Sequence, residues 1–204
     1  MIIDLLKKRF TAKWWEDRVL KPEDLDTVLE CAYNIPSKQT KYNYKIYVFT
    51  DSDKGKELKQ WFYWDNTACL DTVRGKQGEG LRRYNGQALA PIYLVWIANS
   101  SDTSTRDDCV VSASIAMLAA EELGLQTGFC GCIGPEEIRE KLQVEGEAVI
   151  SLGIGYAIPD DLETRKVYKD DEEVGFDISN SDPNLKRHHN RARKPSFQNL
   201  IKIF

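Results

Sequence analysis

RFTAKWWED, Arg9 to Asp17, sets two cations and a hydroxyl on alternate positions, Arg9, Thr11 and Lys13, directly before a pair of tryptophans. Widening the window gives KKRFTAK, with Lys7, Lys8, Arg9 and Lys13. A matching basic run, KRHHNRARKP, lies near the other end and carries Arg187, Arg191, Arg193 and Lys194. The 204-residue chain has a formal net charge of −4, so neither run belongs to a generally basic surface. A dianionic phosphate needs fixed, permanently charged donors, and arginine's planar fork suits it better than lysine's point charge. Two distant basic ends on an acidic chain therefore point to a small anionic ligand. Taken singly, each run also reads as a solvated basic turn or tail.

Apolar residues make up 42% of the chain and the mean hydropathy is −0.48, enough for one sizeable core, so a single domain over 1–204 is expected. The negative balance gives no general attraction to nucleic acid or to an anionic membrane. It also counts against KRHHNRARK as a nucleic-acid-binding tail. No run approaches the roughly 20 apolar residues of a membrane span. MIIDLLKKRF puts its charge after a short apolar stretch, the reverse of a secretory signal, so a cytoplasmic protein is expected. Five cysteines at irregular spacing, Cys31, Cys69, Cys109, Cys130 and Cys132, argue against a disulfide framework and for reduced thiols.

Between the basic ends, PEDLDTVLECAY predicts a helix from Pro22 to Tyr33, with proline and acidic residues in the first turn and Leu25, Val28, Leu29 and Ala32 on one face. YKIYVFT, Tyr44 to Thr50, reads as a strand, and a helix follows from Lys54 to Trp64. The glycine-bearing stretch at about 65–87 reads as a long excursion. IYLVWIA, Ile92 to Ala98, is the clearest strand. From Asp107 to Leu123 apolar residues cover nearly every face of a helix, which predicts burial all round, by other elements or by a second subunit, with Gly124 ending it. GPEEIREKL opens another helix from Gly134, and AVISLGIGYA, Ala148 to Ala157, gives a third strand. The arm at about 159–204 is polar, charged and weakly periodic.

These stretches, in this order, resemble the nitroreductase family. Arg9, Phe10, Thr11, Lys13 and Trp15 fill its N-terminal motif. IPSKQTKYNYKIYVF is similar to its Pro-Ser-rich segment: Pro36 and Ser37 match, Lys38 replaces a small residue, Thr40 replaces Asn, and Tyr42, Asn43 and Tyr44 replace Gln-Pro-Trp. YNGQALAP resembles a segment carrying Asn and Gln, here Asn85 and Gln87. TGFCGCIGPEEI resembles a glycine-containing loop, with Gly131 and Cys132 at its key point. RARKP resembles the C-terminal basic-x-Arg-x-Pro motif, here Arg191 and Arg193.

The resemblance implies an α+β fold, a mostly antiparallel central sheet flanked by helices in an intertwined homodimer, with FMN at the interface. It implies that Arg9, Thr11, Arg191 and Arg193 hold the FMN phosphate and ribityl chain and that Lys13 lies near the N1 and O2 edge. Pro36, Ser37, Lys38 and Thr40 would run under the ring, commonly from the partner subunit. Asn85 and Gln87 would meet the ribityl chain or pyrimidine, and a backbone N–H at Gly131 or Cys132 would meet N5. The implied activity is ping-pong hydride transfer from NAD(P)H through the flavin to a nitroaromatic, quinone or similar small acceptor. Dehalogenation, flavin fragmentation and a non-catalytic flavin- or phosphate-binding role stay open.

Other signals are weaker. Gly153-Ile154-Gly155 does not complete G-x-G-x-x-G, and the glycines from Gly75 to Gly80 form no P-loop, so the chain carries no nucleotide-binding unit of those kinds. Cys130 and Cys132 with His188 and His189 lack the spacing of a zinc site, and no metal is expected. WFYW, Trp61 to Trp64, cannot share one helix face, which leaves Trp61, Phe62 or Trp64 as substrate-lid candidates beside the plainer reading of core packing.

Overall fold

The computed structural model describes residues 2–9, 11–37, 41–64, 85–131 and 135–158. Helix α1 (Ile2–Lys8) precedes an extended segment, Thr11 to Glu16. Helix α2 (Pro22–Tyr33) occupies the span its sequence predicts, with Pro22 in the first turn, where no N–H is needed, and Glu23 and Asp24 beside it. Strand β1 (Tyr44–Phe49) and helix α3 (Asp53–Trp64) come next. A short 3-10 turn (Gly86–Leu89) leads into strand β2 (Ile92–Ala98), also as expected. Helix α4 (Thr103–Glu122), strand β3 (Gln126–Cys130), helix α5 (Pro135–Leu142) and strand β4 (Glu147–Gly155) complete the described elements.

The four strands form one antiparallel sheet in the order β1-β2-β4-β3, so the fold is the expected α+β. Every residue of β2 is buried, because both faces of this inner strand are covered. Its alternation divides the core: Leu94 and Trp96 join Val28, Cys109, Ala116 and Leu152 under α2 and α4, while Tyr93, Val95 and Ile97 join Phe49 and Phe62 on the opposite face. The Trp96 indole N–H donates to Ser112 Oγ at 2.9 Å, and the Ser112 hydroxyl donates to the Ala32 carbonyl at 2.8 Å, which ties β2, α4 and α2 together through the core.

Within one chain helix α4 is covered on one side only, and three other expectations need correction. On its other side Val110, Val111 and Ile115 are 44%, 39% and 36% exposed. The sheet and α2 cover one side of the helix, and apolar composition alone cannot say which chain covers the other. The helix also begins at Thr103 rather than Asp107, because Asp102 caps it by accepting from the Ser104 N–H at 3.1 Å, a start that apolar periodicity does not register. TGFC lies in a fourth strand, β3, not in a loop. Finally, Phe62 is a core residue, fully buried edge-on to Phe49 and Tyr93 with ring centroids 5.2 Å from each, and it forms no lid. Trp61 is partly buried, with Lys141 Nζ 5.9 Å from its centroid. The stretch 65–84 and the arm from 159 lie outside the described residues.

Candidate functional site

The outer edge of β3 collects three stretches that are far apart in sequence. Thr11 pairs with Thr127 in a parallel bridge, and the Ala12 N–H donates to the Thr127 carbonyl at 2.8 Å. The segment then crosses to the end of β4: Trp15 pairs with Ala157, the Glu16 N–H reaches the Tyr156 carbonyl at 2.8 Å, and the Ile158 N–H reaches the Trp14 carbonyl at 3.2 Å. The edge strand is thereby covered. Ala12 is buried while Thr11 and Lys13 are exposed, as extended backbone demands, so the hydroxyl and the cation share the outward side. Arg18 closes this run with its guanidinium 3.6 Å from the centre of the Tyr156 ring.

The 3-10 turn approaches the same edge from the other direction. The Trp15 indole N–H donates to the Gly86 carbonyl at 2.9 Å. Gln87 Nε2 donates to the Phe129 carbonyl at 3.3 Å. This approach depends on Gly128, where an added Cβ would lie 2.2 Å from the Ala12 carbonyl oxygen and 2.7 Å from Gln87 Cγ. At the end of the strand the opposite holds: a Cβ on Gly131 would meet nothing within 4 Å. Lys59 secures the far side of the turn. Its buried ammonium pairs with Asp51 and donates to the carbonyls of Ala90, at 2.8 Å, and Pro91, at 3.1 Å.

Thr11 and Lys13 thus lie exposed on the segment that covers β3, Gln87 contacts the strand from a buried position and Gly131 follows its last residue, while Arg9 follows α1 and Asn85 is buried at the start of the turn. Pro36 and Ser37 do not join them. The Ser37 hydroxyl donates to Asp108 near the start of α4, whereas Thr127 of the edge strand donates to Glu121 at the other end of that helix. At 1.5 Å of rise per residue those two anchor points are about 20 Å apart. Phe10, Lys38, Thr40, Cys132, Arg191 and Arg193 lie outside the described residues. Gly128, Lys59, Tyr93 and Ser151 were given no part by their sequence context, since each reads as an ordinary strand or helix residue until the long-range contacts are known.

The family model described as the Nitroreductase family matches residues 6–156. The chain belongs to that family. Solved structures with the same fold include an FMN-dependent nitroreductase from Clostridium difficile R20291, with 24% identity over 93% of this chain and 99% of that one and a TM-score of 0.59. A nitroreductase with bound FMN from Bacteroides fragilis NCTC 9343 is 17% identical over 85% and 94% of the two chains, with a TM-score of 0.62. The FMN-dependent nitroreductase NfnB from Mycobacterium smegmatis, in complex with NADPH, is 16% identical over 82% and 93%, with a TM-score of 0.63. No curated protein matches the chain. Family membership accounts for the shared fold. At these identities the neighbours establish architecture, and the chemistry rests on this chain's own residues.

Proposed function

We propose that this protein is an FMN-dependent oxidoreductase that takes hydride from NAD(P)H and passes it, in a ping-pong sequence, to a nitroaromatic, quinone or similar small acceptor. The observation that carries the proposal is the convergence of Thr11, Lys13, Gln87 and Gly131 along one strand edge, together with a buried acceptor at the start of the turn, Asn85 Oδ1, that has no hydrogen-bond partner among the described residues. An orphaned acceptor, open space at Gly131 and exposed cationic and hydroxyl side chains fit a ligand with polar edges, a flat ring and a phosphate.

FMN, when bound, supplies the hydride-accepting and hydride-donating ring. The protein binds, orients and tunes it. Arg9 and Thr11, with Arg191 and Arg193 from the arm, would hold the phosphate and ribityl chain through charge-assisted hydrogen bonds. Lys13 would offset negative charge on the ring's pyrimidine edge, Asn85 and Gln87 would meet its polar groups, and the backbone at Gly131 or Cys132 would offer an N–H. Phe10 would pack beside the ligand. Pro36, Ser37, Lys38 and Thr40 would come from a second copy of the chain, since the separation along α4 keeps the first copy's segment about 20 Å from the covered edge. The exposed Val110, Val111 and Ile115 supply an apolar face for such a homodimer. No described helix is long and apolar enough to cross a membrane.

The test is spectroscopic. Protein reconstituted with FMN and desalted should keep its flavin absorbance, and anaerobic addition of NADPH or NADH should bleach it. Flavin retained but never bleached would remove the oxidoreductase reading, and flavin lost on desalting would remove the cofactor as well.

A further inference from the structure

Four glycines, Gly86, Gly128, Gly153 and Gly155, present bare backbone to the segment from Ala12 to Trp15. Two of them seat an indole ring. Gly153 and Gly155 lie two apart on β4 and so face the same side of the strand. A Cβ on Gly153 would lie 3.0 Å from Trp15 Cζ2, and one on Gly155 would lie 3.0 Å from Trp15 Cε3. Those carbons are opposite corners of the six-membered ring, which therefore rests on β4 between the two glycines. The five-membered ring turns its N–H to the 3-10 turn, where the Gly86 carbonyl accepts it at 2.9 Å. Backbone bonds hold the segment on either side: the Ala12 N–H reaches Thr127 and the Glu16 N–H reaches Tyr156, both at 2.8 Å.

The turn packs on the same segment. A Cβ on Gly86 would lie 2.5 Å from the Lys13 carbonyl oxygen, and one on Gly153 would lie 2.3 Å from the Gln87 carbonyl oxygen. Trp15 thus sits between the Lys13 backbone and the Gln87 backbone. The Gly86 carbonyl and the Gln87 N–H belong to one planar peptide, so the indole bond sets the tilt of the peptide that leads into Gln87. Sheet pairing does not set it, because Gly86 lies in the turn and outside the four strands. Among aromatic side chains tryptophan alone meets both demands. Phenylalanine could fill the glycine seat but donates nothing, and the tyrosine hydroxyl lies at the tip of its ring rather than on its side.

We propose that Trp15 is a positioning residue, whose indole N–H locks the turn to the covering segment and so holds Lys13 and Gln87 in one arrangement for the ligand they share. The inference rests on the proposed function for what Lys13 and Gln87 meet, but not for the lock itself. Removing the N–H takes from the buried Gly86 carbonyl its indole donor, which loosens the turn locally while the ring keeps its seat.

The test replaces Trp15 with benzothienylalanine, which keeps the fused rings and carries sulfur where the N–H stood, alongside Trp15→Phe. In the FMN-free protein the Ala88 amide, bonded across the turn to the Asn85 carbonyl at 3.0 Å, should exchange its hydrogen about tenfold faster in both variants, with the β2 amides unchanged. In the reconstituted protein the midpoint potential of bound FMN should fall, as it should in Lys13→Met, because a displaced cation no longer favours the negatively charged reduced ring. Replacing Trp15 in the Lys13→Met background should move the potential little further. Unchanged Ala88 exchange in the benzothienylalanine protein overturns the lock, and an unchanged potential overturns the positioning of Lys13. Failure of Trp15→Phe to fold leaves the benzothienylalanine protein decisive. Faster exchange in a protein that binds no FMN upholds the lock while removing the proposed cofactor, so the two failures are distinguishable.

Discussion

Gly128 and Gly131 sit on the same strand end, and the space beside each is opposite in kind. A methyl on Gly128 collides with the Ala12 carbonyl and with Gln87, so Gly128→Ala should cost about 1–3 kcal/mol in denaturant unfolding, by forcing the covering segment off the edge. A methyl on Gly131 meets nothing. Gly131→Ala should therefore unfold within about 0.5 kcal/mol of the parent yet, with the ligand seated as proposed, bind FMN about tenfold more weakly in a fluorescence titration. Lys59 gives a pH signature. Burial lowers its pKa below the ordinary 10.5 despite the opposing pull of Asp51. Between the lowered native value and 10.5 the unfolded chain holds a proton that the native chain has released, so stability should rise with pH across that interval. Lys59→Met should remove that rise. It should also cost about 2 kcal/mol at neutral pH, since the Ala90 and Pro91 carbonyls lose their buried donor.

Helix α4 shows what capping contributes and what a sequence conveys. At its end the Leu125 N–H bonds the Ala120 carbonyl at 2.9 Å and the Gly124 N–H bonds the Glu121 carbonyl at 3.1 Å, with Gly124 at φ +79°. That pair of bonds requires a left-handed residue, and Gly124→Ala should lower stability by about 1 kcal/mol, seen as a lower denaturant midpoint at unchanged m-value. Gly124 was legible as a stop for that reason. Helix α2 and strand β2 were legible as well, because proline, acidic first-turn residues and a β-branched aromatic run state their conformations locally. Strand β3 was not: it is five residues long, contains Gly128, and exists as an element through its pairing with β4 and its cover by Thr11 and Ala12. The α4 start at Thr103 was hidden by a polar first turn. The candidate site was legible as a set of motifs, but their meeting at one edge depends on backbone bonds between residues more than 100 positions apart, which no local signal encodes.

At the scale of the whole molecule, one chain carries the covered edge and the Pro36–Ser37 segment at opposite ends of α4, and leaves Val110, Val111 and Ile115 exposed on that helix. A second copy would cover the apolar face and bring its own Pro36 segment to the ligand. Ile115→Lys should accordingly yield a folded monomer that loses FMN on desalting, with its helical circular dichroism retained. The joint claim, that flavin is held between two chains, has a direct measurement: sedimentation velocity of the FMN-reconstituted protein followed at the flavin absorbance. Flavin travelling with a particle of twice the 23.4 kDa chain mass is the expected result. Flavin travelling with a single chain, or left behind unsedimented, would contradict it.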